Sequence, residues 1–121
     1  MKHLSHTTLV NEVISKVNAD SGTLTFKTES GRNVEFHHYQ DCCESVYISK
    51  IKGDLNSLIG KKITCVEEYF PDIEGAGLDE RPYDSYTITQ HVFTAGDIKV
   101  TVYWLGESNG YYSESVHIRE W

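Results

Sequence analysis

One short stretch of the sequence, HHYQDCCESVYI at residues 37–48, concentrates side chains that bind metals. It supplies six potential ligands, and three more lie elsewhere: His37, His38, Asp41, Cys42, Cys43, Glu44, Cys65, His91 and His117. Structural zinc sites usually take paired ligands separated by about two to five residues. Neighbouring residues on a strand point to opposite faces, so only one of each adjacent pair could join a site. The spacing therefore disfavours a metal site, and we predict neither a metal nor another cofactor.

The same stretch contains the ingredients of a cysteine nucleophile. Cys42 or Cys43 would act beside His38, with Asp41 placed to orient the base. However, the acids Asp41 and Glu44 flank the two thiols and oppose formation of a thiolate. Cysteine is also among the most buried residue types and usually packs as a small apolar group. We therefore predict that these cysteines pack rather than react, and we assign no catalytic residue.

A pair of acids, Glu67 and Glu68, lies inside a segment with the alternation of a strand. Side chains on a strand alternate between its two faces, so one of these glutamates is expected to point inwards or to lie at a sheet edge. An inward carboxylate needs a partner, and such groups often mark functional sites. The pair is therefore a candidate for acid/base work, although the sequence favours a solvated face for these two residues.

A second polar stretch, GESNGYYSESV at residues 106–116, is typical of a ligand-binding surface. Tyr111 and Tyr112 could stack on a ring, and the polar residues around them could hydrogen-bond to its edge: Ser108, Asn109, Ser113 and Glu114. The sequence contains no phosphate-binding glycine loop and no nucleophile elbow. In addition, the string ESVYI at 44–48 is echoed by ESVHI at 114–118, which is a weak hint that the two segments play similar roles.

The composition limits the class of partner. The 121 residues carry 11 Lys and Arg against 18 Asp and Glu, a net charge of −7. Such a balance disfavours binding to duplex nucleic acid, although an acidic surface can occupy a basic cleft on another protein. Three cysteines without framework spacing, no signal peptide and no apolar run long enough for a membrane predict a cytoplasmic protein that does not enter a membrane. The length predicts one domain over residues 1–121.

The order of turns and apolar alternation predicts a mainly β fold, either an antiparallel sheet or a partly closed barrel of about seven or eight strands. One short helix is expected near residues 54–59. Asp54 would be its N-cap, Leu55, Leu58 and Ile59 its buried face, and Gly60 its stop.

Three further segments have specific predictions. Residues 8–17 fit either a helix or a strand, and we favour a strand because of their β-branched content. Residues 71–85 are acidic and rich in Gly and Pro, which is typical of a long surface loop. The strand at 98–105 follows a turn at Gly96-Asp97, and Asn109-Gly110 suits a second tight turn. The C-terminal third is therefore predicted to be a three-stranded meander.

Four strings in the chain, HYQDCCESVYI, GDLNSLIGKKI, VEE and WLGESNGYYSESV, resemble a family of small phage and prophage proteins known as a domain of unknown function. The family brings no assigned chemistry. The resemblance implies a phage accessory protein that acts in the cytoplasm of a bacterial host. It also marks the residues where we expect a ligand site: His38, Gln40, Asp41, Cys42, Cys43, Glu44, Asn109, Tyr111, Tyr112, Ser113 and Glu114.

Small phage accessory proteins often disarm host defence, so the resemblance favours a non-catalytic binding protein that sequesters a small nucleotide-derived signal. In this hypothesis Tyr111 or Tyr112 stacks on the base, and Gln40, Asn109 and Ser113 donate or accept hydrogen bonds. Asp41 and Glu44 would bind ribose hydroxyls or an amine. The shortage of arginines counts against a phosphate ligand, since only Arg32, Arg81 and Arg119 are present.

Two alternatives remain open at this point. An acidic inhibitor would bind a host defence complex directly, with the 71–85 loop in a basic cleft of its partner. A hydrolase would degrade the signal instead of trapping it. A homo-oligomer formed through an exposed strand edge is compatible with all three hypotheses: a sequestering protein, an acidic inhibitor and a hydrolase.

Overall fold

The computed structural model describes residues 2–39, 44–77, 85–108 and 113–120. Its strands, in chain order, are β1 (Lys2–His3), β2 (Ile14–Ala19), β3 (Leu24–Thr28), β4 (Asn33–His37), β5 (Ser45–Lys52), β6 (Cys65–Tyr69), β7 (Ser85–Ala95), β8 (Ile98–Ser108) and β9 (His117–Glu120). Sheet 1 has the strand order β1-β9-β4-β3-β2, and sheet 2 has the order β5-β8-β7-β6. The mainly β, antiparallel prediction is confirmed, and the strands form two facing sheets rather than a partly closed barrel.

The longest feature of the fold is the hairpin of β7 and β8. Its pairing runs without a break from Ala95 opposite Ile98 to Ser85 opposite Ser108. Gly96 turns the chain with a φ of 64°, a conformation that L side chains rarely adopt. This is the turn that the sequence predicted at Gly96-Asp97. Both strands of the hairpin lie in the interior of sheet 2, so the hairpin supplies most of its inner surface.

The main core lies between the two sheets. Alternate residues of β8, among them Val102 and Trp104, point inwards and are fully buried. They meet an aromatic cluster formed by Phe26 and Phe36 of sheet 1 and Phe93 of sheet 2, whose ring centroids lie 5.1 to 5.9 Å apart. Edge-on and tilted aromatic contacts of this kind add to the free energy gained from burial.

A second, smaller core covers the outer face of sheet 2. The one-turn helix α1 (Ile73–Ala76) packs there, and Ala76 is buried against Ile88, Tyr103 and Leu105. The sequence predicted a surface loop over residues 71–85. The described part, residues 71–77, instead contains a helical turn that seals an apolar surface, and residues 78–84 lie outside the described chain.

The predicted C-terminal meander is wrong. Strand β9 pairs with β4 and β1 in sheet 1, whereas β8 belongs to sheet 2. Strand β8 ends in sheet 2 at Ser108 and β9 begins in sheet 1 at His117, and the described residues 113–116 lead into β9 with Glu114 packed against β8. The Asn109-Gly110 turn lies outside the described residues.

The short helix is present as a 3₁₀ turn over Leu55–Leu58. Asp54 caps it by accepting a hydrogen bond from the backbone N–H of Asn56 at 2.9 Å, and Gly60 follows with a φ of 81°. Leu58 is fully buried as predicted, but Ile59 is 41% exposed because the turn ends before it can face the core.

The ambiguous segment at residues 8–17 combines both predicted states. A 3₁₀ turn covers His6–Leu9, and the strand begins only at Ile14. Asn11 separates the two with a φ of 74°, a value that interrupts any regular strand. The strand prediction was therefore wrong for residues 8–13 and right from Ile14 onwards.

Gly106 tests how closely the crossing segment packs on sheet 2. A Cβ atom at this position would lie 2.6 Å from the carbonyl oxygen of Glu114 and 2.9 Å from its Cβ. We expect Gly106→Ala to lower the free energy of unfolding by about 1–3 kcal/mol, measured by urea denaturation. The matched control is Gly22→Ala, whose Cβ would meet nothing within 4 Å. Equal stability of the two variants would contradict the close packing.

Candidate functional site

Two crossing segments meet at one end of the sandwich. The described residues of the first segment are 38, 39 and 44, between β4 in sheet 1 and β5 in sheet 2, and those of the second are 113–116, which precede β9 on the return to sheet 1. His38 joins them, since its Nδ1–H donates to the carbonyl oxygen of Ser115 at 2.7 Å. Its Nε2 lies 2.9 Å from Oε2 of Glu44. The described ends of the two stretches that the sequence marked for binding are therefore in direct contact.

The His38–Glu44 pair is withdrawn from solvent, with 3% of the histidine side chain and none of the glutamate side chain exposed. Because a carbonyl oxygen only accepts, the proton on Nδ1 is committed to Ser115. The contact with Glu44 then requires one more proton, which resides either on Nε2 or on the carboxyl group. In both cases the net charge of the pair is zero, so its burial avoids the large desolvation penalty of an unpaired charge.

A second buried carboxylate, Glu114, lies on the other crossing segment. Thr87 donates to its Oε1 at 2.8 Å, and Ser108 donates to its Oε2 at 2.5 Å. The two hydroxyls come from neighbouring strands of sheet 2, while Glu114 itself leads into sheet 1. Glu44 shows the reverse arrangement, because it leads into sheet 2 and contacts His38 beyond β4. In each of the ESVYI and ESVHI strings, the glutamate leads into one sheet and contacts a residue that belongs to the other sheet or follows it.

Aromatic and imidazole rings collect beside this crossing. The His38 ring is stacked with His117 at a centroid distance of 5.9 Å. Tyr39 contacts His37 at 4.5 Å and His117 at 5.2 Å. Burial lowers the pKa of His37, and the positive charge of Arg119 lowers it further.

A third carboxylate, Glu68, lies on β6 at the edge of sheet 2, where 25% of its side chain is exposed and its carboxylate has a partner. His91 donates from Nε2 to Oε2 of Glu68 at 2.9 Å, and His6 lies 3.7 Å from the other oxygen. Burial lowers the pKa of His91, and the hydrogen bond from His91 lowers the pKa of Glu68. The sequence did not identify His91 as the partner, because only the pairing of β6 with β7 sets the two residues opposite each other.

A small cavity of about 300 Å³ opens between the N-terminal segment and β9. Its walls include His6, Glu68 and His117. The Glu68–His91 contact is thus linked to the surface through the side of Glu68 that faces His6.

The structure describes four of the sequence-predicted site residues. Glu44 and Glu114 are buried, His38 is half-buried with its side chain withdrawn from solvent, and all three are hydrogen-bonded. Ser113 is exposed, and its hydroxyl accepts a hydrogen bond from the backbone N–H of Ser115. The remaining seven lie outside the described residues: Gln40, Asp41, Cys42, Cys43, Asn109, Tyr111 and Tyr112. Sequence reasoning named Ser108 as a possible ligand contact, whereas the structure has it donating to Glu114. It missed Thr87, the other partner of Glu114, because only the folding of β7 brings this residue to the crossing.

The two described arginines are occupied by carboxylates. Arg32 binds Glu12 and Glu120 through its guanidinium, and Arg119 binds Glu35. Both therefore hold the fold together. Arg81 lies outside the described residues.

Within the described ranges, no group of three or more His, Cys, Asp or Glu is arranged to hold a metal ion. Cys65 is an exposed free thiol on β6. No helix in the described part of the chain is long and apolar enough to cross a membrane.

These features define an antiparallel β sandwich whose connecting segments cross at one polar end. The chain belongs to a family described as a domain of unknown function, DUF7448, which matches residues 7–118. No curated protein and no solved structure matches the chain. Membership of a family without assigned function agrees with the resemblance seen in the sequence, while the phage origin stays a prediction.

The first test of the site concerns Glu44. We expect Glu44→Ala to lower the free energy of unfolding by about 2–4 kcal/mol, because it leaves the buried Nε2 of His38 without its partner. Glu44→Gln should cost less, since an amide can donate to a neutral Nε2. Urea denaturation measures both, with Glu29→Ala as the control at an exposed position. If Glu44→Ala is as mild as Glu29→Ala, the buried pair does not hold the crossing.

The second test uses acid. Unfolded His91 takes up a proton near its ordinary pKa of 6.5, whereas the buried side chain resists protonation; Glu68 behaves likewise relative to 4.5. Folding lowers both pKa values. The contribution of the two groups to the free energy of unfolding is therefore complete above their pKa values in the unfolded chain and is lost as the pH falls. We expect the free energy of unfolding to decline between about pH 7 and pH 4. His37 adds to the upper part of this decline.

Glu68→Gln separates the two contributions. Its amide oxygen still accepts the hydrogen bond from His91 but takes up no proton. The variant should keep the decline from about pH 7 to pH 5 and lose part of the decline below it. A wild-type stability that is constant between pH 7 and pH 5 would contradict the neutral, buried His91.

Proposed function

We propose that this protein is a non-catalytic binding protein that sequesters a small nucleotide-derived signal and so counters bacterial host defence during phage infection. The phage setting and the bacterial cytoplasm come from the resemblance of the sequence. The observation that carries the binding part is the contact of His38 with Ser115, which unites the two marked stretches at one end of the sandwich. A ligand held at that end can be contacted from both segments at once.

In this proposal some of the marked residues position the crossing segments, and others contact the ligand. The carboxylates of Glu44 and Glu114 are buried and bonded within the protein, so they position the crossing segments. In this proposal Glu44 positions the crossing segment, and Asp41 is the acid that would bind ribose hydroxyls or an amine. Exposed Ser113 retains its role as a hydrogen-bonding group.

The remaining contacts rest on the sequence. Tyr111 or Tyr112 would stack on the base, and Gln40 and Asn109 would hydrogen-bond to its edge. Asp41 would bind ribose hydroxyls or an amine. Sequestration needs only such contacts, because it requires affinity and a slow release rather than a reacting group.

Calorimetry and thermal shift against cyclic nucleotides and ADP-ribose derivatives test the proposal. We expect at least one ligand to raise the unfolding temperature and to be bound with simple stoichiometry. Ser113→Ala should weaken that binding by about 3–10-fold, as expected for one lost hydrogen bond. Ser21→Ala is the matched control, since Ser21 is exposed in a different loop.

The fate of the ligand distinguishes sequestration from turnover. Heat denaturation of the complex should release the ligand chemically intact, as judged by chromatography. A converted ligand would instead support the hydrolase alternative, and Asp41→Asn or Glu44→Gln should then abolish the conversion. Silence across the whole panel would contradict sequestration.

A second candidate function is the acidic inhibitor of a host defence complex. It is favoured by three exposed aromatic side chains close in sequence to acids: Phe70 is 66% exposed, Tyr69 is 47% exposed and Tyr86 is 39% exposed. Phe70, Tyr86 and Asp72 line one shallow groove. Aromatic anchors with an acidic rim suit a basic protein partner, whose binding would weaken steeply with salt.

A further inference from the structure

The outer face of sheet 1 is a cationic surface on an otherwise acidic protein. Lys16, Lys27 and Asn33 occupy adjacent positions across β2, β3 and β4. Together with Asn18 and Thr25 they line a depression of about 520 Å³. The surface combines positive charge with amide and hydroxyl groups, which is the chemistry that binds phosphate oxygens.

The two lysines stand directly opposite each other in the antiparallel pairing of β2 and β3. Like charges in such a pair are destabilising. Neither ammonium group has a carboxylate within salt-bridge distance among the described residues, although the chain contains 18 acids. A bound anion would relieve this repulsion, which no carboxylate of the described ranges does by direct contact.

The centre of the same face is electrically balanced. Glu35 of β4 and Arg119 of β9 are opposite each other and form a direct ion pair, with Nε of Arg119 2.7 Å from the carboxylate. The positive charge of the lysine pair is therefore not cancelled by its nearest carboxylate on the face.

The other end of the face carries rings. His37 and His117 are paired across β4 and β9, and Tyr39, which is 40% exposed, contacts both. The Nε2 atom of His37 is buried and has no hydrogen-bond partner among the residues that the structure describes. Along β4, His37 lies four residue steps beyond Asn33, which corresponds to about 13 Å. Two linked nucleotides can span that distance.

We propose that the outer face of sheet 1 binds nucleotides joined by phosphodiesters, with a phosphate at Lys16 and Lys27 and a base against the Tyr39–His117 end. The inference deepens the proposed function and rests on it for the nucleotide character of the ligand. The lysine pair would supply the positive charge that a phosphate ligand needs and that the few arginines of the sequence do not supply. The source of this chemistry is either a free cyclic oligonucleotide or a single-stranded nucleic acid.

The test measures binding of cyclic di-AMP and of a single-stranded oligoadenylate of about eight nucleotides to the whole protein. Lys16→Gln/Lys27→Gln should weaken binding by about tenfold or more. Binding by this double variant should also depend less on salt. The slope of the logarithm of the binding constant against the logarithm of the salt concentration should become shallower by about 0.7 for each lost phosphate contact. Lys61→Gln/Lys62→Gln is the matched control, because both lysines are exposed and the change in net charge is the same.

Each outcome decides the matter. Loss of binding in the first double variant alone supports the proposal, and the unfolding temperature should then stay at or above that of the wild type because a repulsion has been removed. Equal losses in both double variants would show a general charge effect and overturn it, as would no binding of either probe. If small nucleotides bind independently of Lys16 and Lys27, this inference fails and the proposed function stands. If only the oligoadenylate binds and its binding depends on the two lysines, nucleotide binding at the outer face of sheet 1 is supported and sequestration of a small signal is contradicted.

Discussion

The burial of carboxylates between two sheets is the constraint on which the polar end of this structure depends. A carboxylate cannot enter an apolar sandwich unless donors meet it there. Glu44 is met by His38, and Glu114 is met by the hydroxyls of Thr87 and Ser108. Each of these contacts reaches from one crossing segment to the opposite sheet or its continuation. The two crossings therefore hold the sheets together where the β ladders end.

The faces of the two sheets differ in what they leave for function. The inner faces are filled by the aromatic core, and the outer face of sheet 2 is sealed in part by the helical turn that ends at Ala76. The outer face of sheet 1 has no comparable apolar cover among the described residues and displays polar and charged side chains instead. Ligand chemistry is therefore concentrated on that face and at the crossing next to it, where His117 belongs to both.

Local patterns predicted the elements whose signals are short in range. The turn at Gly96, the cap at Asp54 and the alternation of β8 all follow from neighbouring residues, and each is present. The failures lie where a distant contact decided the outcome. Residues 8–13 do not continue the strand because the chain turns at Asn11 and buries Leu9 against the core. The C-terminal strand joins β4 rather than β8, because Gly106 leaves room for Glu114 to cross over the sheet.

The sequence by itself determined the mainly β character, the strand alternation, the excess of acids and the two stretches with unusual polar residues. Only the tertiary structure decided which polar groups meet. It paired Glu68 with His91, buried Glu44 against His38, and set Lys16 opposite Lys27. The physical reason is that alternation fixes the face to which a side chain points, whereas its partner depends on strand pairing and register. Register is set by contacts between residues that are far apart in the chain, and no local pattern contains them.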